Sequence, residues 1–201
     1  MKTAPKIAVL ILAAGDASRM QRPKQLLPWK ETTLLNHCMA TVLDLRNTKS
    51  FVVLGAHKDD ILPTINHSNV SVLYNEHWKQ GMGSSISFGV TYIQSYGDFD
   101  AILIVLADQP LVSLSYLENM IQIYTSSNKG IVASKYEDNK LGVPVVFDVA
   151  YFKDLVELKG DKGAKGFLKT YQDDVYALQA SEIVGDIDTP EAYEWLYNTY
   201  H

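Results

Sequence analysis

Apolar positions along this chain follow two alternating rhythms. Short runs in which apolar residues crowd together predict strands at residues 7–12, 51–54, 70–74, 101–106, 131–134, 143–147 and 175–178. Between them, apolar residues recur every three or four positions, the spacing of a helix with one buried face. In residues 33–45 that face carries Leu34, Leu35, Cys38, Met39, Val42 and Leu43, and in residues 84–96 it carries Ile86, Val90 and Ile93. A short helix is expected near residues 59–65, after Gly55 stops the second run. Ser115 with Glu118 three places on has the form of a capping box, opening a helix to about residue 124. Helices over 151–158 and 164–171 flank the turn Gly160-Asp161-Lys162-Gly163, and Thr189-Pro190-Glu191 opens the last one, with proline at its first position.

Alternating strands and helices predict an α/β fold, a three-layer sandwich around a mostly parallel, Rossmann-like sheet. The run 101–106, Ala-Ile-Leu-Ile-Val-Leu, is apolar on both faces, as a central strand covered by helices on both sides must be. No internal repeat, low-complexity tract or linker interrupts the 201 residues, so one domain over 1–201 is expected.

Composition narrows the function classes. The chain is 47% hydrophobic and 20% charged, the make-up of a globular protein. Its net charge of −5 argues against bulk binding of nucleic acid, which needs a basic surface, but leaves room for a local basic pocket. The single cysteine, Cys38, makes no internal disulfide and sits in an apolar helical pattern, as a buried core residue does. No apolar stretch approaches the roughly 20 residues that cross a bilayer. Lys2 and Lys6 ahead of the apolar run 7–14 resemble a short signal-peptide core, yet the polar turn 15–19 follows at once, and a buried first strand is the expectation. A cytoplasmic protein without membrane or nucleic-acid partners is expected.

Open parallel sheets bind ligands outside the carboxyl ends of their strands, and two such segments carry chemistry. After the first strand come Leu12, Ala13, Ala14 and Gly15, small residues that let backbone N–H groups approach an anion, followed by Arg19 and Lys24. Arg19 suits a phosphate as a planar fork and Lys24 as a point charge. The segment is neither G-x-G-x-x-G nor a Walker loop, and taken alone it also fits an ordinary strand-to-helix turn with solvated bases. The second segment is Ala107-Asp108-Gln109-Pro110. A carboxylate one residue past a fully apolar strand is costly unless compensated, and Mg²⁺ with phosphate oxygens compensates it well. The alternative is an acid placed for the next helix or turn. His37, His57, His67 and His77 show no ligand spacing, no cysteine pair supports zinc, and no G-x-S-x-G nucleophile motif occurs.

Together these segments resemble the MobA-like nucleotidyltransferase family, most closely its molybdenum cofactor cytidylyltransferase branch. Four further motifs carry the resemblance: Asn75-Glu-His-Trp78-Lys-Gln-Gly81-Met82-Gly83-Ser84-Ser85, Gly142-Val-Pro144-Val-Val-Phe147, Gly160-Asp161-Lys-Gly163-Ala-Lys165 and Asp186-Ile-Asp188-Thr189-Pro190-Glu191. It spans about residues 7–195. It implies the nucleotide-diphospho-sugar transferase type of fold, with residues 12–15 cradling the nucleotide and Arg19 and Lys24 on its phosphates. Gly81, Met82, Ser84 and Ser85 would line its base and ribose side, and Asp108 would hold Mg²⁺ with Asp188 as second carboxylate. Leu-Ala-Ala-Gly, in place of the guanylyl branch's Leu-Ala-Gly-Gly, favours CTP.

The implied reaction is transfer of a cytidylyl group to molybdopterin-type cofactor, with pyrophosphate released and a molybdenum hydroxylase as the eventual client. Three other readings stand beside it: a sugar phosphate or other alcohol phosphate as acceptor, a cofactor carrier or chaperone without turnover, and an oxidoreductase on this scaffold, against which the missing dinucleotide fingerprint counts. The chain departs from the family at Gln21, where glycine is usual, and Asp16 places a negative charge near the expected triphosphate.

Overall fold

The structure is a computed structural model that describes residues 4–16, 20, 22–137, 139–160, 163–180 and 186–201, with the side chains of 163–165 outside the description. In chain order its elements are β1 (Ile7–Ala13), β2 (Pro28–Trp29), β3 (Thr32–Thr33), α1 (Leu34–Leu43), β4 (Thr48–Leu54), α2 (Lys58–Ile61), β5 (Val70–Tyr74), α3 (Met82–Tyr96), β6 (Ala101–Leu106), α4 (Leu114–Ser126), β7 (Ile131–Lys135), β8 (Leu141–Asp148), α5 (Phe152–Val156), α6 (Gly163–Thr170), β9 (Val175–Gln179) and α7 (Pro190–Tyr200).

Seven strands form one sheet in the order β5-β4-β1-β6-β8-β7-β9. All its pairs are parallel except those of β8, which runs antiparallel to β6 and to β7. The expected α/β architecture is therefore present, with one reversed strand.

β1 shows why the sequence needs two helical layers. Ala8, Leu10 and Leu12 point to a core shared with Ile86, Val90 and Ile93 of α3, Phe152 and Leu155 of α5, and Phe167 and Leu168 of α6. Ile7, Val9, Ile11 and Ala13 point the other way, onto Leu35, Met39 and Val42 of α1 and Leu117 and Met120 of α4. Alternate side chains of a strand face opposite sides, so a strand apolar at every position must be covered on both.

A third cluster lies off the sheet. Met20, Leu27, Trp29 and Leu34 pack with Ile187, Tyr193 and Leu196, so the small β2–β3 hairpin and the C-terminal segment cover each other. The hairpin has no counterpart among the strands expected from the sequence.

Two helix starts differ from expectation. α4 opens at Leu114, and its cap is Ser113, whose hydroxyl accepts from the Tyr116 N–H, in place of Ser115. α3 begins at Met82 behind Gly81, which has a φ of 94° and supplies no side-chain cap. Thr189 caps α7 by accepting from the Ala192 N–H. Among the described residues no helix is long and apolar enough to cross a membrane.

Candidate active site

β1, β4, β5 and β6 run parallel, so their carboxyl ends reach the same edge of the sheet. Between β1 and β6 the connections diverge to opposite faces, α1 following β1 and α3 preceding β6. Such a divergence opens a crevice at that edge. A cavity of about 720 Å³ lies there, lined from β1 by Leu12, Ala13, Ala14, Gly15 and Asp16, from β6 by Leu106, Ala107 and Asp108, and across from them by Trp78, Gly81, Met82 and Ser85. Lys24, Asp186 and Asp188 complete the wall near Asp108.

The loop after β1 is held by its backbone. Gln25 donates through Nε2 to the carbonyls of Ala13 (2.8 Å) and Gly15 (3.1 Å), and the Ala56 N–H donates to the Ala14 carbonyl at 3.0 Å. Gly55 has no room for a side chain, because a methyl group there would fall 2.6 Å from the Ala14 oxygen and from Trp78 Cβ. These hydrogen bonds engage the carbonyls of residues 13–15 from behind, as a preorganised anion cradle requires.

The far wall is tied together by Asn75, a buried residue just past β5. Its amide donates to Ser84 Oγ and Ser85 Oγ, each at 3.1 Å, while its Oδ1 accepts from the His77 N–H at 2.9 Å. Ser85 faces the cavity. Ser84 does not line it: its hydroxyl closes the α3 start, its one proton shared between the carbonyls of Gly81 and His77. Trp78 both packs against the main core and lines the cavity, and Lys79 lies over its ring at 5.5 Å. Gly83 donates to the Gly160 carbonyl at 2.9 Å, which docks the turn before α6 on the α3 N-terminus.

At the opposite end Lys24 Nζ stands between two carboxylates, 2.6 Å from Asp188 Oδ1 and 3.2 Å from Asp108 Oδ2. The Lys24 and Asp108 side chains keep only 14% and 23% exposure, whereas Asp188 keeps 56%. Burial pulls the Lys24 ammonium down, but Asp108 and hydrogen bonds to both acids outweigh it, and its pKa lies above the usual lysine value. Asp108 is raised as well: burial pushes it up, Lys24 resists, and Asp186 and Asp188 add to the rise, leaving it at about 6. Both values rise, which favours the charged lysine but the neutral acid.

Asp186, which also reads as a solvated turn residue in sequence, accepts at Oδ1 from Gln109 Nε2 at 2.8 Å. Gln109 is buried and also donates to Tyr136 Oη and the Val143 carbonyl. Ile187 sits fully buried in the third cluster, and its N–H donates to the Asp108 carbonyl at 3.2 Å. The segment bearing both late aspartates is thereby fixed beside Asp108. Arg19 and Gln21 lie outside the described residues, as do Asp161 and Lys162.

Carboxylates are the hard oxygen donors that a divalent cation prefers. A cation, the Lys24 ammonium, already bridges Asp108 and Asp188, so the space between them suits positive charge. Among the described residues no group of three or more acid, histidine or cysteine side chains gathers to hold a metal alone. Mg²⁺ takes one or two carboxylates and completes its shell with phosphate oxygens and water, and Asp108 and Asp188 offer two such carboxylates.

Three neighbours that matter to this geometry were not singled out from the sequence. Gln25 looks like one more solvated polar residue beside Lys24, Gly55 like a strand stop, and Gln109 like part of a turn before Pro110. Their one sequence signal is position: each adjoins the carboxyl end of a strand or the basic pair that follows it.

A parallel-sheet crevice with a braced small-residue loop on one strand and paired acids across from it defines a nucleotide-handling α/β enzyme. A family model of the MobA-like NTP transferase domain matches residues 9–175, and the chain belongs to that family of nucleotidyltransferases. The purine catabolism protein PucB of Bacillus subtilis is 30% identical over 204 residues, covering 94% of this chain and 95% of its own. Nicotine blue oxidoreductase of Paenarthrobacter nicotinovorans is 28% identical over 195 residues, with 93% and 94% covered. Among solved structures, a homolog of Mycobacterium tuberculosis Rv0371c from Mycobacterium sp. strain JC1 superposes with a TM-score of 0.81 at 26% identity, covering 96% of each chain. Rv0371c itself, in complex with manganese, gives a TM-score of 0.77 at 25% identity, over 96% of this chain and 99% of that one.

Proposed function

We propose that this protein is a CTP:molybdopterin cytidylyltransferase, one MobA-like domain over residues 1–201, acting in the cytoplasm. The observation that carries this reading is the placement of Lys24 between Asp108 and Asp188, in the same cavity as the braced loop of residues 13–15.

In the reaction, a phosphate oxygen of the acceptor attacks the α-phosphorus of CTP. A new P–O bond forms, the bond to the β-phosphate oxygen breaks, and pyrophosphate leaves with the electron pair. A phosphate monoester is already a nucleophile, so no covalent protein intermediate is required. The backbone N–H groups of Ala13, Ala14 and Gly15 bind the triphosphate, and Lys24 and Arg19 neutralise charge that grows on it. Ser85, Gly81 and Met82 flank the nucleoside, and Ser84 supports them through the α3 start. Asp108 and Asp188 would hold Mg²⁺, which when bound would supply Lewis-acid stabilisation of the phosphoryl oxygens. The manganese in one solved neighbour supports a divalent ion in this fold. Ala14 at the cavity wall supports CTP over GTP, since the guanylyl branch has glycine at this place.

The test is pyrophosphate release with Mg²⁺ and molybdopterin-type cofactor, comparing CTP, GTP, ATP and UTP. Release with CTP alone, lost in Asp108→Asn, supports the reading. Release only with a sugar phosphate in place of the pterin reassigns the acceptor, and binding of the pterin without any release turns the protein into a carrier. One relative is named an oxidoreductase, so a second reading is hydride chemistry, and saturable binding of NAD(P)H without CTP binding would favour it.

A further inference from the structure

We infer that Lys24 is a built-in placeholder for the divalent cation, so that the protein takes metal together with a nucleoside triphosphate and resists metal alone. The inference rests on the metal site proposed above.

Lys24 Nζ bonds Asp188 at 2.6 Å and Asp108 at 3.2 Å, and so fills the interval between the two carboxylates. A divalent cation held by those two carboxylates would have to occupy the same interval. Two cations cannot occupy it at once, so one must displace the other.

The lysine is well placed to leave without unfolding anything. Its backbone belongs to the 3-10 turn Lys24–Leu26, fixed on one side by the Leu27 N–H on the Lys24 carbonyl and on the other by Gln25 on Ala13 and Gly15. Only the flexible four-carbon stem has to swing. The Ala13–Gly15 loop lies in the same cavity, and a triphosphate there offers the ammonium new anionic partners. Without that triphosphate, a departing ammonium exchanges two charge-assisted hydrogen bonds to carboxylates for hydrogen bonds to water alone. Metal alone therefore competes against a bonded cation, while metal with nucleotide supplies both replacements. Coupling of this kind is reciprocal, with each ligand tightening the other.

The experiment titrates Mn²⁺ alone, without nucleotide, and reads free Mn²⁺ by electron paramagnetic resonance. It compares the parent with Lys24→Met, a second neutral variant Lys24→Gln, the charge-retaining Lys24→Arg, and Asp108→Asn in the parent and Lys24→Met backgrounds. Either neutral variant should bind Mn²⁺ at least about tenfold more tightly than the parent, the effect of freeing one charge-assisted hydrogen bond, although it loses transferase activity. Lys24→Arg should keep the parent's weak binding. Equal or weaker Mn²⁺ binding by the folded neutral variants, with further loss in Asp108→Asn, overturns the placeholder and leaves the metal site standing. If the double variant binds Mn²⁺ as tightly as Lys24→Met, the metal site itself is wrong and the placeholder falls with it.

Discussion

Gly55 lies so close to Ala14 that a methyl group at position 55 would meet the Ala14 carbonyl oxygen at 2.6 Å. The same methyl would touch Trp78 Cβ at 2.6 Å, so a glycine at the end of β4 seals two walls of the cavity at once. Gly55→Ala must push either the loop or the tryptophan. The expected result is a stability loss of about 1–3 kcal/mol, as for overpacked cores, and a rise in the KM for nucleotide of about tenfold or more. Thermal melts and initial rates at varied CTP read both. Unchanged KM would mean that the loop tolerates displacement.

Asp108 gives a pH dependence with a definite sign. In the folded, metal-free protein its carboxyl is raised from 3.8 to about 6, so its contribution to stability is full below pH 3.8 and is lost as pH rises through 6. Asp108→Asn cannot ionise. With chelator present, the variant should gain on the parent between pH 4 and pH 7, by at most about 3 kcal/mol. Urea unfolding of both proteins across that range measures the gap. A gap that is flat with pH would show that Asp108 is not shifted.

Cys38 should be inert. Burial, with Asp108 nearby, pushes its thiol up to about 12, and its S–H donates to the Leu106 carbonyl at 3.7 Å. At pH 8 the thiolate is scarce, and thiolate is the reactive form. A thiol-exchange reagent should therefore react with the native protein at least about a hundredfold more slowly than with the urea-unfolded chain. Comparable rates would place the thiol at the surface.

The third cluster links stability to the site. Ile187 is fully buried there, between Asp186 and Asp188, whereas Trp195 on α7 is 56% exposed. Ile187→Ala should cost about 2–5 kcal/mol and raise the Mg²⁺ concentration needed for half-maximal rate, because it loosens both aspartates. Trp195→Ala should change stability by less than about 0.5 kcal/mol and leave the Mg²⁺ requirement alone. Chemical denaturation and metal titration of activity separate the two.

What the sequence made legible follows from where periodicity carries information. β5 and β6 have the expected ends, because apolar runs bounded by polar turns leave little choice. The reversal of β8 was not readable, since a buried strand shows the same apolar pattern in either direction. The β2–β3 hairpin was not readable either: two-residue strands are too short for any period. The cap of α4 lies two residues before the position the sequence suggests, because Ser115-x-x-Glu118 matches the capping pattern while Ser113 makes the bond. In the site, Lys24, Asp108 and Asp188 were legible because charge at the end of an apolar strand, or in a matched motif, demands an explanation. Gln25 and Gln109 were not, because an uncharged polar residue in a loop raises no such demand; only the fold shows that each is buried and bonded.

Lys24 and Asp188 are 164 positions apart, and that separation matters while the chain is being synthesised. By residue 179 every described strand of the sheet has been made, and the loop after β1 and Asp108 with them. Ile187, Asp188 and the helix that covers the hairpin still lie behind, inside the ribosome. A nascent or truncated chain at that stage has its scaffold but only half of its carboxylate pair. The pairing of Lys24 with Asp188 thus waits for the segment that follows β9.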